Sequence, residues 1–218
     1  MIPEWLLAPI DAGRPHQVDL AVAWHARMMT LAWGVLVPAG VLIARYFKVT
    51  PRQDWPRVLD NQFWWVSHLW LQQTAAALML LGVVLTLPGA WEASIQHAIL
   101  GWLVVGFACL QILSGWLRGT KGGPSDPAGL RGDHYDMTRR RLLFEAVHKV
   151  IGYALLPIAA ATIMTGLWSA NAPVWMWIVI PAYWIVLIVV AVVCERRGMN
   201  MGSYQAIWGP DKDHPGNR

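Results

Sequence analysis

Charge is scarce in this chain. Asp, Glu, Lys and Arg together make up 14% of its 218 residues, against about 25% in an ordinary soluble domain. Hydrophobic residues fill 56% of it and the mean hydropathy is +0.39, which excludes a typical water-soluble globule. Cysteine is nearly absent: Cys109 and Cys194 alone rule out a disulfide framework, a Cys-rich zinc module and an iron–sulfur protein. A basic n-region is missing as well, because MIPEWLLAPIDAG carries Glu4 and Asp11 where a cleavable signal peptide would carry Lys or Arg. That segment is therefore expected to remain as an arm, its patch Ile2–Ile10 lying in the membrane interface or loose. Strand-like alternation is lacking, which leaves helices as the spanning structure.

What is present is apolar sequence in long runs. A hydrocarbon core of about 30 Å takes roughly 20 helical residues to cross, and five segments meet that length, near 25–47, 63–87, 95–117, 142–168 and 173–194. None has a mid-span Lys, Arg, Asp or Glu, so a pump built on a buried carboxylate is excluded. Pro38, Pro157 and Pro181 lie inside these runs, where neighbouring groups must satisfy the carbonyls that proline leaves free. The fold expected is an all-α integral membrane protein of five transmembrane helices. Its organisation is an outer arm over 1–24, a four-helix core over 25–168, a fifth helix over 173–194 and a tail over 195–218. The segment Gly119–Thr138, rich in Gly, Pro and Asp, reads as a connecting loop. Fifteen Trp suit the membrane–water boundaries.

Basic residues set the orientation. Fourteen Lys and Arg lie in the connections 45–57 and 118–141 and in the tail, against two, Arg14 and Arg27, on the other side. The positive-inside rule then places the amino terminus outside and the carboxyl terminus in the cytoplasm, with a bacterial inner membrane as the expected location. The basic excess is a topology signal, and it requires no nucleic acid.

Of seven His, His16, His134 and His214 fall in polar segments and are expected to be solvated. The others, His25, His68, His97 and His148, lie one in each of the first four spans, near the amino-terminal end of each. Ionisable groups in a membrane are costly and mark function. Because the spans alternate in direction, His25 and His97 come to one depth near the outer face, and His68 and His148 to another near the inner face. Two facing neutral imidazoles are what a bis-His haem iron needs. A porphyrin also needs space: Gly101 follows His97 by four residues and Gly152 follows His148 by four, each clearing one turn. Eighteen residues is five helical turns, and it leads from His97 to Gly115 and from His148 to Gly166. Without a CxxCH motif the cofactors are two noncovalent haem b groups. At 1.5 Å per residue their irons are about 20 Å apart along the membrane normal, a spacing for electron relay. Zinc or copper would want three or four ligands at one depth, whereas these come in twos. Cys109, Met28 and Met29 read as packing.

The stretches HARMMTLAWGVLVPAGVLIARYFK, WWVSHLWLQQ, QHAILGWLVVGFACLQILSGWLRG and EAVHKVIGYALL resemble the cytochrome b561 family, and the first is most similar to cores fused elsewhere to DOMON modules. The resemblance implies two b haems, on His25 with His97 and on His68 with His148, and electron transfer across a membrane from an ascorbate-like reductant to an outer acceptor. This chain departs from the six-helix members in having no helix before the haem-binding core. Arg139, nine residues before His148, is the candidate contact for an anionic substrate. A quinol or a partner redox protein is equally open as donor. Three functional readings follow: a diheme transmembrane cytochrome, a haem-bearing anchor subunit of a dehydrogenase or quinone oxidoreductase complex, and a non-redox scaffold, working as a subunit or homodimer in the first two cases.

Overall fold

The computed structural model of the chain describes residues 3–16, 18–87, 94–118 and 139–213. His134, His214 and the connections expected at Gly119–Thr138 and ahead of Ser94 lie outside the described residues. Five helices are long and apolar enough to cross a membrane: Leu20–Tyr46, Phe63–Thr86, Ile95–Leu117, Arg139–Ser169 and Val174–Arg196, here called the first to fifth spans. No β-strand is found among the described residues, and the chain is a multi-pass membrane protein. Rows of aliphatic residues on the spans stay exposed, such as Ile185, Val186, Ile188 and Val189 on the fifth. In a soluble protein such a surface would be a liability, but it is what lipid requires.

The first span begins at Leu20, five residues before the expected start, because Asp19 caps it by accepting a hydrogen bond from the Val22 amide at 2.8 Å. Ser94 caps the third span in the same way, accepting from the His97 amide at 3.3 Å. The interior between the spans is built from small side chains. Ala32, Ala75, Ala108 and Ala159 are all buried and let the helices approach closely, with Trp33, Met79 and Leu155 filling the space between them.

Within the first span, residues Thr30–Leu36 form a π-helix, after which Pro38 opens the remaining α-helical part. Pro38 has no amide proton to give to Gly34, four residues earlier. The indole of Trp184 in the fifth span supplies one instead, Nε1 donating to the Gly34 carbonyl at 3.1 Å. The bundle thus meets the expectation that a neighbouring group compensates the proline.

The amino-terminal arm is docked. The short helix Glu4–Leu7 leads to Pro9, which bridges to Pro173 at the start of the fifth span. Asn171, 2% exposed and at φ 48°, holds the arm to the turn between the fourth and fifth spans. Its Oδ1 accepts from the Asp11 amide at 3.0 Å, and its Nδ2 donates to the carbonyls of Asp11 and Arg14 at 2.9 and 2.8 Å. Arg14 adds a hydrogen bond to the Trp168 carbonyl and lies over that indole. His16, expected to be solvated, is exposed yet has Nδ1 3.0 Å from the Ala170 carbonyl. Asn171→Ala should cost about 2–4 kcal/mol, through three lost hydrogen bonds and a Cβ-bearing residue without a polar side chain at positive φ. Thermal unfolding in detergent measures the cost, and faster proteolysis at Gly13 would show that the arm has come away.

The two ends of the bundle differ in charge. One, the amino-terminal end, holds the arm and the turn at Asn171. The other, the basic end, holds the connection 47–62, the start of the fourth span and the tail. The tail is packed against this end. Its helix Ser203–Trp208 buries Ala206 and Ile207, Tyr204 Oη donates to Glu145 at 2.8 Å, and the Asp60 amide donates to the Ala206 carbonyl at 3.2 Å.

Candidate functional site

The alternation of the spans brings the four membrane histidines together in two pairs. The rings of His25 and His97 lie at the amino-terminal end with centres 6.2 Å apart and planes at 77°, and those of His68 and His148 lie at the basic end with centres 6.5 Å apart and planes at 74°. All four are half-buried. A metal ion held between two imidazole nitrogens at about 2 Å each puts the ring centres roughly 6 Å apart. Both pairs have that separation.

The donor chemistry fits as well. His25 Nδ1 lies 2.9 Å from the Gly82 carbonyl, His68 Nδ1 lies 3.0 Å from the Gly40 carbonyl and His97 Nδ1 lies 2.9 Å from the Thr162 carbonyl. A carbonyl oxygen can only accept, so each of these Nδ1 atoms carries the proton. That fixes the tautomer and leaves Nε2 as the nitrogen suited to a metal. His148 is the exception: its Nδ1 is buried with no hydrogen-bond partner. Its backbone carbonyl accepts from Gln111 Nε2 at 2.8 Å. Among the described residues no group of three or more His, Cys, Asp or Glu side chains converges; the imidazoles come together in twos.

The glycines singled out by spacing have different surroundings. Gly166 packs directly on a ligand candidate, since a Cβ there would lie 2.8 Å from His97 Cε1 and 3.1 Å from its Nδ1. Gly152 faces the Gln111 amide, which a Cβ would meet at 3.1 Å. Gly101 has only the Thr162 methyl at 3.9 Å, and Gly115 has nothing within 4 Å. Spacing missed Gly82 and Gly40, whose carbonyls receive His25 and His68. A Cβ on Gly40 would lie 2.5 Å from Gln72 Nε2 and one on Gly82 would lie 3.3 Å from Met29 Cε, so both are close-approach positions. The only signal for them in the sequence is a glycine inside a span, which is common in membranes.

At the basic end a cavity of about 160 Å³ lies among Asp60, Trp64 and Trp65 at the start of the second span, Arg118, Arg141 and Ile207 of the tail. Arg139 is exposed at the start of the fourth span; Arg141, two residues on, is the buried arginine that faces the cavity. Arg141 pairs with Glu145 at 3.2 Å. Arg118 lies over the Trp65 ring at 3.8 Å, and burial lowers its pKa to about 10, leaving it charged at neutral pH. At the amino-terminal end a cavity of about 380 Å³ is lined by uncharged residues, including Ser94, Gln96, Thr165, Trp168 and Trp177.

Lys48, just past the first span, donates to the carbonyls of Met201 at 3.1 Å and Arg45 at 3.4 Å. Burial first, and then the charges of Lys149 and Arg45, lower its pKa from 10.5 to about 8. The unfolded chain therefore binds more protons than the folded one between pH 8 and 10.5, so this group makes the fold more stable as pH rises through that window. Unfolding midpoints in detergent should climb between pH 8 and 9.5 in the wild type, and the climb should flatten in Lys48→Met.

No family model matches the chain, and no solved structure matches it. Curated proteins do. A cytochrome b561, DM13 and DOMON domain-containing protein of Arabidopsis thaliana is 29% identical over 145 residues, 66% of this chain and 14% of that protein. Ferric-chelate reductase 1 of Bos taurus is 29% identical over 163 residues, 73% of this chain and 24% of its own length. A cytochrome b561 and DOMON domain-containing protein of Arabidopsis thaliana is 24% identical over 147 residues, 66% of this chain and 31% of that protein. The chain thus spans less than a third of the length of these relatives. They come from plants and mammals, so the expectation of a bacterial inner membrane finds no support in them. They support a transmembrane redox role, and their family implies haem b. With cytochrome b561 domain-containing proteins and ferric-chelate reductases as its curated homologues, the chain is consistent with a cytochrome b561 family core.

Proposed function

We propose that this chain is a diheme b-type cytochrome that carries electrons across a membrane between a donor and an acceptor on opposite faces. The observation that carries the reading is the pair of facing imidazoles at each end of one bundle, with ring centres 6.2 and 6.5 Å apart. His25 and His97 would hold one noncovalent haem b, and His68 and His148 the other. When bound, the haem supplies a one-electron iron couple. The protein's own residues orient and insulate it. The carbonyls of Gly82, Gly40 and Thr162 hold three ligand rings in the metal-ready tautomer. The alanine-rich layer around Trp33 and Met79 packs the interior of the bundle between the spans.

The orientation that follows from the positive-inside rule puts the basic end in the cytoplasm. There Arg118 and Arg141, with Asp60 beside them, face a cavity in which the two guanidinium groups would receive an anionic reductant of the ascorbate type. Arg139, exposed two residues earlier, would serve such a donor on its approach. At the opposite end, the name of the mammalian relatives makes a ferric chelate the acceptor to test first. The four-helix part over 25–168 is the redox core, flanked by the arm, the fifth span and the docked tail. Gly101 and Gly115 leave open surface along it, whereas Gly152 and Gly166 are the positions where Gln111 and His97 approach the fourth span.

The experiment is a dithionite-reduced minus air-oxidised spectrum on purified protein, with haem per chain from a pyridine haemochrome assay. Two b haems per chain are expected. A chain that folds and binds none would reject the reading.

A further inference from the structure

We infer that the carboxyl-terminal tail sets the size of the donor at the basic end. With the tail seated, the cavity beside Arg118 and Arg141 takes one small anion and shuts out larger anionic reductants such as a flavin nucleotide. The inference rests on the reading of that cavity as the donor site, and it concerns which anion can enter.

The wall comes from the short tail helix. Gly202 and Gly209, the latter at φ 93°, bracket Ser203–Trp208, and Ala206 and Ile207 within it are buried. Ser203 and Ile207 line the cavity together with Trp64 and Trp65 of the second span, Arg118 at the end of the third and Arg141 of the fourth. Three spans thus supply the cations and the aromatic surface, and the tail supplies a wall without which the cavity is open.

Polar bonds seat this wall from two sides. From the connection after the first span, Lys48 Nζ donates to the Met201 carbonyl at 3.1 Å. The amide of Asp60, itself a cavity residue, donates to the Ala206 carbonyl at 3.2 Å. From the fourth span, Glu145 accepts from Tyr204 Oη at 2.8 Å and from Arg141 Nε at 3.2 Å. One carboxylate therefore ties the tail to a cavity cation. An anion arriving at Arg141 competes with Glu145 for the guanidinium, and Tyr204 leaves that carboxylate a partner.

Volume decides what fits. The cavity holds about 160 Å³, whereas sites for drug-sized ligands run to about 300–1,000 Å³. A nucleotide carries the negative charge that Arg118 and Arg141 attract, so charge alone does not separate it from a small organic acid. The seated tail separates them by collision, admitting the small anion and refusing the large one.

The test is equilibrium dialysis of the purified full chain in detergent, under anaerobic conditions, against ascorbate and against FMN. This readout needs no electron transfer. The wild type should retain ascorbate and bind FMN more weakly by about tenfold or more. In Ala206→Gln a larger uncharged side chain replaces one that is 1% exposed, so the tail should lift and the affinity for FMN should rise by about tenfold or more. Faster chymotrypsin cleavage at Trp208 shows that the tail has lifted. Adding Arg118→Gln should remove the FMN binding that was gained. Tyr204→Phe and Ile207→Ala repeat the test if Ala206→Gln does not fold. FMN bound by the wild type as tightly as ascorbate would overturn the inference while leaving the donor site in place. So would a loosened tail with no gain in FMN binding, or a gain that survives Arg118→Gln. Failure of both anions to bind the wild type and the tail variants would overturn the donor-site reading and the inference together.

Discussion

Replacing His97 with alanine is expected to halve the haem content of the purified protein, from two per chain to one, and to leave the spectrum of the remaining haem unchanged. The reason is geometric. His97 faces His25 and no other histidine, and its Nδ1 is anchored to Thr162, which belongs to the same end. The first pair and the second share neither ligand nor anchoring carbonyl. They are also far apart: the carbonyl that receives His68 is Gly40, fifteen residues along the first span from His25, or about 22 Å at 1.5 Å per residue. His148→Ala should give the complementary single-haem protein. Haem per chain and difference spectra report the outcome. Loss of both signals from a His97→Ala protein that keeps its helical circular dichroism would mean that the two sites are not separate.

Gly166→Ala should have nearly as large an effect with a far smaller chemical change. The added methyl would lie 2.8 Å from His97 Cε1, closer than side-chain carbons pack, and the ring cannot swing freely because its Nδ1 is held by the Thr162 carbonyl at 2.9 Å. Overpacking of this kind costs about 1–3 kcal/mol, roughly a fivefold to 150-fold loss in affinity of the site. The damage should be confined to the haem at the amino-terminal end. Gly106→Ala in the third span is the control, because nothing lies within 4 Å of its Cβ position. Full haem binding by Gly166→Ala would show that the ring has room to move and that the close approach does not constrain the ligand.

How much of this was legible in the sequence depends on what each feature rests on. The spans were legible because lipid demands long apolar runs, and the observed helices lie within a few residues of those expected. The pairing of the histidines followed from depth alone, since alternating helices carry residues near their amino-terminal ends to alternate faces. What lay beyond reach depends on rotation and on the backbone. Arg139 and Arg141 are indistinguishable in the run of three arginines, and only the turn of the fourth span shows that the second of them is buried. Which carbonyl receives which imidazole depends on helix crossings that no spacing encodes, so Gly82, Gly40 and Thr162 left no trace of that role. The π-helix at Thr30–Leu36 had no compositional sign. The docking of the arm hangs on one asparagine at positive φ, which reads in sequence as an ordinary turn residue.

The hydrogen bond from Trp184 to the Gly34 carbonyl has a consequence for how the helices sit against one another. The fifth span contributes no histidine, yet its indole fits a carbonyl that exists as an open acceptor at one height of the first span, four residues before Pro38. Sliding the fifth span by a single turn would strand that carbonyl in hydrocarbon, where an unmet polar group is costly. The bond therefore works as a set screw on the axial register of the bundle. It fixes the height at which the fifth span, which carries no membrane histidine, packs along the first, so that the two helices keep their positions against each other where the surrounding bilayer varies in thickness.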